Sequence, residues 1–151
     1  MEVFEKIKKI LDANKVKYSV KHHEPVYTSE QAAKARGDNI KQGAKAIIMK
    51  TDKEFVLLVL SAEKRIDSKK VKVLLGSKSV SFADVDKVKS LGLQPGSVPP
   101  FGSVLGLKTY VDRSLLENKE ISFNAGSLTD SITLSLKDYL DIENPIISDF
   151  S

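Results

Sequence analysis

The sequence predicts an α/β protein of the α+β type, with a curled, mixed and mostly antiparallel sheet or barrel flanked by helices. Three observations support this class. Strand-like and helix-like segments interleave along the chain. Residues 44–50 and 54–61 are β-rich runs separated only by TDK, which is the length of a hairpin turn. Several other connections are too short for the crossover that a parallel pair requires.

The first half of the chain predicts two helices and three strands. Apolar residues recur at helical spacing over residues 2–13, and residues 16–22 alternate as a strand does. A second helix follows in TSEQAAKARG, where Thr28 is placed to cap its start and Gly37 to end it. The hairpin strands come next, and the run 54–61 is apolar almost throughout. We therefore expect that run to be a central strand buried on both faces.

The second half predicts three more helices and three more strands. Short helices are expected at 68–75 and 83–91, each followed by a glycine. A loop rich in Gly and Pro, QPGSVPPFGS, comes next. The strands LKTYVD, EISFN and SITLS and a last helix, LKDYLDI, complete the chain. Asp112 is placed to cap the turn at 113–116.

Composition and charge exclude some functions and favour others. The chain has no cysteine, which excludes thiol catalysis and disulfides and favours a reducing cytoplasm. No apolar run approaches the ~20 residues of a membrane span, and 151 residues suit a single domain, 1–151. The net charge is +5 over residues 1–50, +4 over 51–111 and −5 over 112–151. This asymmetry fits a basic face that meets a polyanion, although solvated lysine faces are the alternative.

Two features of the first half could contribute to a site. His22 and His23 are adjacent on a predicted strand and point to opposite faces, which argues against a catalytic triad or a metal site. Both fit surface or strand-end positions, and His23 is the better candidate because Glu24-Pro25 ends the strand. Lys45 lies at the end of an apolar strand row and could hold its ammonium at a cavity mouth, near phosphate or ribose. An ordinary strand-end lysine shows the same pattern.

The loop GSVPPFG combines prolines, which restrict the backbone, with glycines, which allow conformations that other residues avoid. Pro99 and Pro100 have fixed φ and lack N–H groups, whereas Gly96 allows positive φ or a close approach. The N–H groups of Gly96, Ser97 and Val98 are expected to be free, so that the loop could position water or a developing oxyanion. A bulky side chain at position 96 is then expected to enter the reaction space. A purely structural turn is the alternative.

A third cluster, FNAGSLTDSITL, could form a pocket wall. Gly126 and its small neighbours leave room between two strands, and Asp130 or Ser131 could supply a polar group.

In this order and spacing, several segments resemble the YbaK/ProX family, whose members are similar to the editing domain of bacterial prolyl-tRNA synthetases. The resemblance runs from about Val16 to Leu140 and rests on HHEPVYTSEQAAKARG, GAKAIIMK, EFVLLVLSAEKRID, KVKVLLG, GSVPP followed by FG, TYVDRSL and FNAGS. It implies that family's fold and aminoacyl-tRNA deacylation in trans, with no cofactor and no metal. The family's lysine maps onto Lys45 and its glycine–proline loop onto Gly96 to Pro100.

The resemblance also implies roles for particular residues. Lys45 would hold the phosphate or ribose of the terminal nucleotide, and the loop would orient the ester and water. The expected catalytic set is Lys45, Gly96, Ser97, Val98 and Pro100; the expected substrate-binding set is His23, Tyr27, Thr28, Phe101, Asn124, Gly126 and Asp130. Some relatives carry an acid where Ser131 falls, one place after Asp130. Lys21 stands where some members carry an aromatic residue, a place that Tyr27 could take.

The function expected from the resemblance is removal of a small mischarged amino acid (Ala, Ser, Thr or Cys) from tRNA, with tRNA-Pro as the first carrier. The partner would be the aminoacyl-tRNA acceptor end, with delivery by a synthetase or an elongation factor. Two alternatives stay open: a non-catalytic aminoacyl-tRNA-binding regulator of the same fold, and an amidase or esterase for a small metabolite.

Overall fold

The computed structural model describes residues 2–151, which form eight strands and six α-helices. The strands are β1 (Tyr18–His22), β2 (Ala44–Thr51), β3 (Phe55–Ser61), β4 (Val80–Phe82), β5 (Lys108–Asp112), β6 (Glu120–Asn124), β7 (Asp130–Ser135) and β8 (Ile146–Ser148). The helices are α1 (Val3–Ala13), α2 (Ser29–Arg36), α3 (Ser68–Leu75), α4 (Val85–Ser90), α5 (Gly102–Leu105) and α6 (Leu136–Glu143). None of the helices in this part of the chain is long and apolar enough to cross a membrane.

The strands divide between two sheets. A five-stranded sheet has the order β4-β2-β3-β5-β8, and a three-stranded sheet has the order β1-β7-β6. Within the described residues, the parallel pairs are β3–β5 and β5–β8, and the other pairs are antiparallel. The predicted α+β class with mostly antiparallel strands is confirmed. The sheets do not close into a barrel, but an isolated bridge between Gly43 and Ser122 connects β2 to β6.

Strand β3 is the centre of the larger sheet and is buried on both faces, as its apolar sequence predicts. Its alternate side chains contribute to two separate apolar clusters. Leu57 and Val59 pack in the larger cluster with Ile7 of α1. Val56 and Leu58 pack on the other face, in the smaller cluster. The hairpin between β2 and β3 is also confirmed.

Two predicted elements are shorter than expected by two residues or more, and two short strands and one short α-helix were not predicted. Helix α4 covers Val85–Ser90 rather than 83–91, because the Asp84 side chain caps it by accepting from the Lys87 N–H. Strand β1 begins at Tyr18 rather than at residue 16. Strands β4 and β8 and helix α5 have three or four residues each, which is too short for a readable period.

Asp112 caps the turn at Arg113–Glu117, as predicted, and also holds the end of the chain. Its Oδ2 accepts from the Ser114 N–H at 3.0 Å. Its Oδ1 accepts from the N–H groups of Phe150 and Ser151 at 2.7 and 3.1 Å. Burial acts to raise the pKa of Asp112, but these hydrogen bonds lower it overall. One buried carboxylate therefore connects β5 to the C-terminal segment.

Candidate active site

A pocket of about 200 Å³ lies between α2, the start of β2, the loop at 94–101 and the end of β6. Its lining brings together six residues predicted from the sequence: Tyr27, Thr28, Lys45, Gly96, Val98 and Asn124. Most of the remaining wall is made of small side chains, from Gly43, Ala32, Ala33, Ala44, Ala46 and Ala62. These small residues leave the space that larger side chains would fill.

The caps of helix α2 position one wall of the pocket. The Thr28 Oγ1 accepts from the Gln31 N–H at 3.0 Å, and the Gln31 Oε1 accepts from the Tyr27 N–H at 2.8 Å. At the other end, Gly37 has φ +74° and closes the helix in the left-handed conformation. Both predicted caps are confirmed. The two ends of α2 are determined locally. Tyr27, just before the helix, and Arg36, its last residue, both line the pocket.

Lys45 lies near the start of β2, opposite Leu60 of β3. Its Nζ donates a hydrogen bond to the carbonyl oxygen of Lys64. Partial burial lowers the pKa of Lys45, the charge of Arg65 lowers it further, and Glu30 acts in the opposite direction. Lys45 forms no salt bridge within residues 2–151. Its poorly hydrated charge is therefore available to an anionic ligand.

Two carbonyl oxygens of the loop are anchored on β6 and the turn after it. The Gly96 oxygen accepts from Asn124 Nδ2 at 2.7 Å, and the Ser97 oxygen accepts from the Gly126 N–H at 3.1 Å. A trans peptide points its N–H away from its carbonyl, so the Val98 N–H points away from Gly126. Neither the Gly96 N–H nor the Val98 N–H has an acceptor among the described residues. These two groups remain available as donors.

Ser97 differs from its expected role. Its N–H donates to the Gln94 carbonyl oxygen at 3.0 Å. Its hydroxyl donates to the same oxygen at 2.8 Å and accepts from the Gln94 N–H at 2.9 Å. The residue is buried. The prediction of a free Ser97 N–H is therefore wrong, because these bonds close the turn that shapes the loop.

Glycine is favoured at position 96 by the backbone conformation, and not by a need to keep space free of a side chain. Its φ of +88° lies in the left-handed region, which favours glycine. A Cβ added there would lie 3.5 Å from Cδ2 of Leu128. Leu128 does not line the pocket but lines a second, neighbouring groove, which is described below. The expectation that a side chain at position 96 would enter the reaction space is therefore corrected.

Pro100 and Phe101 belong to the core and do not line the pocket. The Pro100 carbonyl oxygen accepts from the Tyr139 hydroxyl at 2.6 Å. The Phe101 ring is fully buried and packs against Phe123 and Tyr139, with ring centroids 5.4 and 5.6 Å away. Their expected contacts with substrate are corrected, because apolar burial turns both residues inward. They anchor the C-terminal end of the loop.

Arg36 was missed by the sequence reasoning. Its Nε donates to Ser131 Oγ at 2.9 Å, and its Nη2 donates to Asn124 Oδ1 at 2.8 Å. The same Asn124 amide holds the Gly96 carbonyl. Burial lowers the pKa of Arg36, while the charge of Asp38 opposes this effect. Nη1 has no acceptor within residues 2–151, and the guanidinium forms no salt bridge there.

A sequence signal for Arg36 does exist. Arg36 follows Ala32 and Ala33 by four and three residues, so the three lie on one face of α2. Both alanines are buried. An arginine on the buried face of a helix of small residues indicates a cation aimed inward.

His23 supports this network from outside the pocket. Its Nδ1 lies 2.8 Å from the Glu24 carbonyl oxygen, which can only accept, so Nδ1 carries a hydrogen. Its Nε2 lies 2.8 Å from Ser131 Oγ, the atom that also accepts from Arg36. The predicted substrate contact of His23 stays a prediction; in the structure, the histidine contacts Ser131, which holds Arg36.

Asp130 and Gly126 line an adjoining groove of about 820 Å³, not the pocket that holds Lys45. Successive residues of β7 face opposite ways, so Ser131 faces Arg36 and Asp130 faces His22, whose Nδ1 lies 3.0 Å from its Oδ1. Burial acts to raise the pKa of Asp130, but hydrogen bonds, that of His22 first, lower it overall. Their predicted contacts with substrate stay predictions, and they concern this groove rather than the Lys45 pocket.

The pocket is cationic and has no acidic residue in its wall. Arg36 and Lys45 both line it, and its other lining residues are uncharged. No cluster of His, Asp or Glu suited to a metal ion occurs in residues 2–151. Such a wall favours a ligand with a negative charge or a carbonyl oxygen that becomes negative.

The fold and this pocket define an α+β domain with a cationic pocket beside a loop that has two N–H groups without an acceptor in the described chain. Residues 23–142 match the model of the aminoacyl-tRNA editing domain, and the chain belongs to this family. It is a hydrolase that acts on the ester bond of aminoacyl-tRNA.

Relatives and a solved structure agree with this membership. The chain is 34% identical over 139 residues to the multifunctional Ser/Thr-tRNA deacylase ProXp-y of Escherichia coli K12, covering 88% of this chain and 83% of the relative. It is 28% identical to the prolyl-tRNA editing protein ProX of Acetoanaerobium sticklandii, over 85% and 82% of the two chains. A crystal structure described as a candidate trans-editing enzyme for prolyl-tRNA synthetase superposes with TM-score 0.84 at 24% identity, over 100% and 98% of the chains. That likeness shows the fold, and the resemblance to the YbaK/ProX family is confirmed.

Proposed function

We propose that this protein is a trans-editing deacylase for a small mischarged amino acid (Ala, Ser, Thr or Cys), with tRNA-Pro as the first carrier to test. One observation carries the proposal. Lys45, Gly96 and Val98 line one small pocket whose wall has no acid, and the N–H groups of the two loop residues have no acceptor in the described chain. A cation for the nucleotide and donors for the ester are therefore close together.

The proposed reaction depends on positioning. Lys45 holds the phosphate or ribose of the terminal adenosine, and the loop holds the ester carbonyl. The Gly96 and Val98 N–H groups stabilise the oxyanion that forms when water attacks, with the 2′-hydroxyl of the substrate assisting. An activated ester needs little beyond such positioning and charge stabilisation.

The pocket supports a small amino acid. A volume of about 200 Å³ lies below the ~300–1,000 Å³ of common small-molecule sites. Alanine and glycine form much of the wall. Because the Escherichia coli relative is named a Ser/Thr-tRNA deacylase, we propose Ser and Thr esters as the first substrates, followed by Ala and Cys.

The proposal extends to the setting of the reaction. The 1–151 chain acts as a single editing domain in the cytoplasm, where a synthetase or an elongation factor delivers the mischarged tRNA. Because its contact with tRNA would be largely electrostatic, its affinity should fall steeply with salt concentration.

The test measures ester loss from a panel of mischarged tRNAs, with Lys45→Ala beside the wild type. The matched control is Lys53→Ala, in the turn at the opposite end of β2, roughly 20 Å from Lys45. We expect the wild type and the control to cleave at least one ester and Lys45→Ala to fail. If no ester is lost faster than in buffer, the deacylase proposal is wrong. Binding without cleavage would favour a regulator, and full activity of Lys45→Ala would remove the lysine from the site.

A further inference from the structure

We propose that Arg36 is a catalytic residue that pairs with the negative charge on the ester carbonyl oxygen during hydrolysis, while Lys45 binds the phosphate of the terminal nucleotide. This inference rests on the proposed deacylase function. It assigns separate roles to the two cations that line the pocket.

The guanidinium of Arg36 is oriented by uncharged acceptors. Ser131 Oγ accepts from Nε and Asn124 Oδ1 accepts from Nη2. Nη1 is the nitrogen without an acceptor in the described chain, and it lies 3.6 Å from the place that a Cβ on Gly43 would take. Gly43 and Arg36 both line the pocket. The free nitrogen therefore lies next to Gly43, just before β2, in the wall of the pocket.

Arg36 lies on the side of the pocket that the loop forms. A single amide, that of Asn124, accepts from Arg36 and donates to the Gly96 carbonyl oxygen, at 2.8 and 2.7 Å. The guanidinium is thus tied to the backbone that would hold the ester. Lys45 has different neighbours, since its Nζ donates to the Lys64 carbonyl oxygen and the charge of Arg65 acts on it. That basic side suits a phosphate.

The charge of Arg36 is not neutralised by its anchors. Its contacts are a hydroxyl and an amide, and no Asp or Glu lines the pocket. The charge of Asp38 acts on Arg36, but the two residues form no salt bridge, and neither does Arg36 with any other residue of 2–151. In a partly desolvated site, a fixed cation stabilises a developing anion more strongly than it would in water.

The reaction balances with water as the only co-reactant. The oxygen of one water molecule bonds to the carbonyl carbon and passes one proton to solvent water, and the carbonyl π electrons move to the oxygen beside Arg36. When the intermediate collapses, these electrons re-form the carbonyl, and the bond from that carbon to the ribose oxygen breaks. The ribose oxygen takes up a proton, giving the free amino acid and uncharged tRNA.

The test separates chemistry from binding by single-turnover deacylation over a range of enzyme concentrations. Loss of one oxyanion-stabilising group costs about 10²–10³ in rate. We expect Arg36→Gln to lower the saturating rate constant by about 100-fold or more, with half-saturation changed less than about three-fold. Arg36→Lys should retain part of the rate, because it keeps the charge. Lys45→Gln should mainly raise the half-saturation concentration.

Two controls make the outcome decisive. Asn124→Ala breaks the link to Gly96 and removes one of the two anchors of Arg36, which keeps its contact with Ser131. If Arg36→Gln causes no further loss of rate in the Asn124→Ala background, Arg36 acts only through the loop and the proposal is overturned. Arg113→Gln alters an exposed arginine paired with Asp149 and should leave the rate unchanged.

A saturating rate within about three-fold of wild type for Arg36→Gln also refutes the proposal. If Arg36→Gln does not fold, Arg36→Lys takes its place. A rate equal to wild type would then show that the charge alone is needed and would refute a role for the planar guanidinium. An inactive wild type would instead refute the deacylase function.

Discussion

The conformation of Gly96 leads to a prediction about stability and activity together. At φ +88°, an alanine is strained by about 1–2 kcal/mol, which Gly96→Ala should lose from the free energy of unfolding. Its Cβ would make only an ordinary contact with Leu128, at 3.5 Å, so no clash adds to this cost. The chain can relieve the strain by rotating the peptides at 95–98. That rotation would misdirect the Gly96 and Val98 N–H groups, and loss of one such donor lowers the rate by about 10²–10³.

A matched glycine separates the two effects. Gly76 ends α3 at φ +59° with no atom within 4 Å of an added Cβ, and it does not line the pocket. Urea unfolding of Gly96→Ala and Gly76→Ala should show similar losses of stability, whereas single-turnover deacylation should be slow only for Gly96→Ala. If Gly96→Ala keeps the wild-type rate, the loop does not stabilise the reacting ester and the reasoning is refuted.

Two further predictions concern the core and the chain end. Phe101→Ala should lower the free energy of unfolding by about 3–5 kcal/mol in urea titrations, because it empties a fully buried site. Phe101→Leu should keep the wild-type preference among amino acids, and a changed preference would return Phe101 to the substrate pocket. Because the folded-state pKa of Asp112 is lowered, its carboxylate stabilises the fold above about pH 4, and this contribution is lost as the pH falls further. The stability gap between the wild type and Asp112→Asn should therefore shrink in acid, and a gap independent of pH would contradict this.

The candidate site was predictable where the signal was local. Lys45 and the GSVPP loop stand out by strand position and by Gly/Pro chemistry, and both line the pocket. The positions of Phe101 and Ser97 could not be read from the sequence, because both lie within three residues of a pocket residue but are buried. Asp130 lines the adjoining groove rather than the Lys45 pocket, and sequence proximity does not reveal which way a strand residue faces.

Several local features could be predicted from the sequence alone. They are the caps of α2 at Thr28 and Gly37, the β2–β3 hairpin, the buried central strand and the stiff loop. These depend on interactions within a few residues, which composition and period record. Which side chains share a pocket depends on the tertiary structure. Arg36, Asn124 and Gly96 meet through contacts 88 and 28 residues apart in sequence. Such contacts depend on how the two sheets pack, which no local pattern contains.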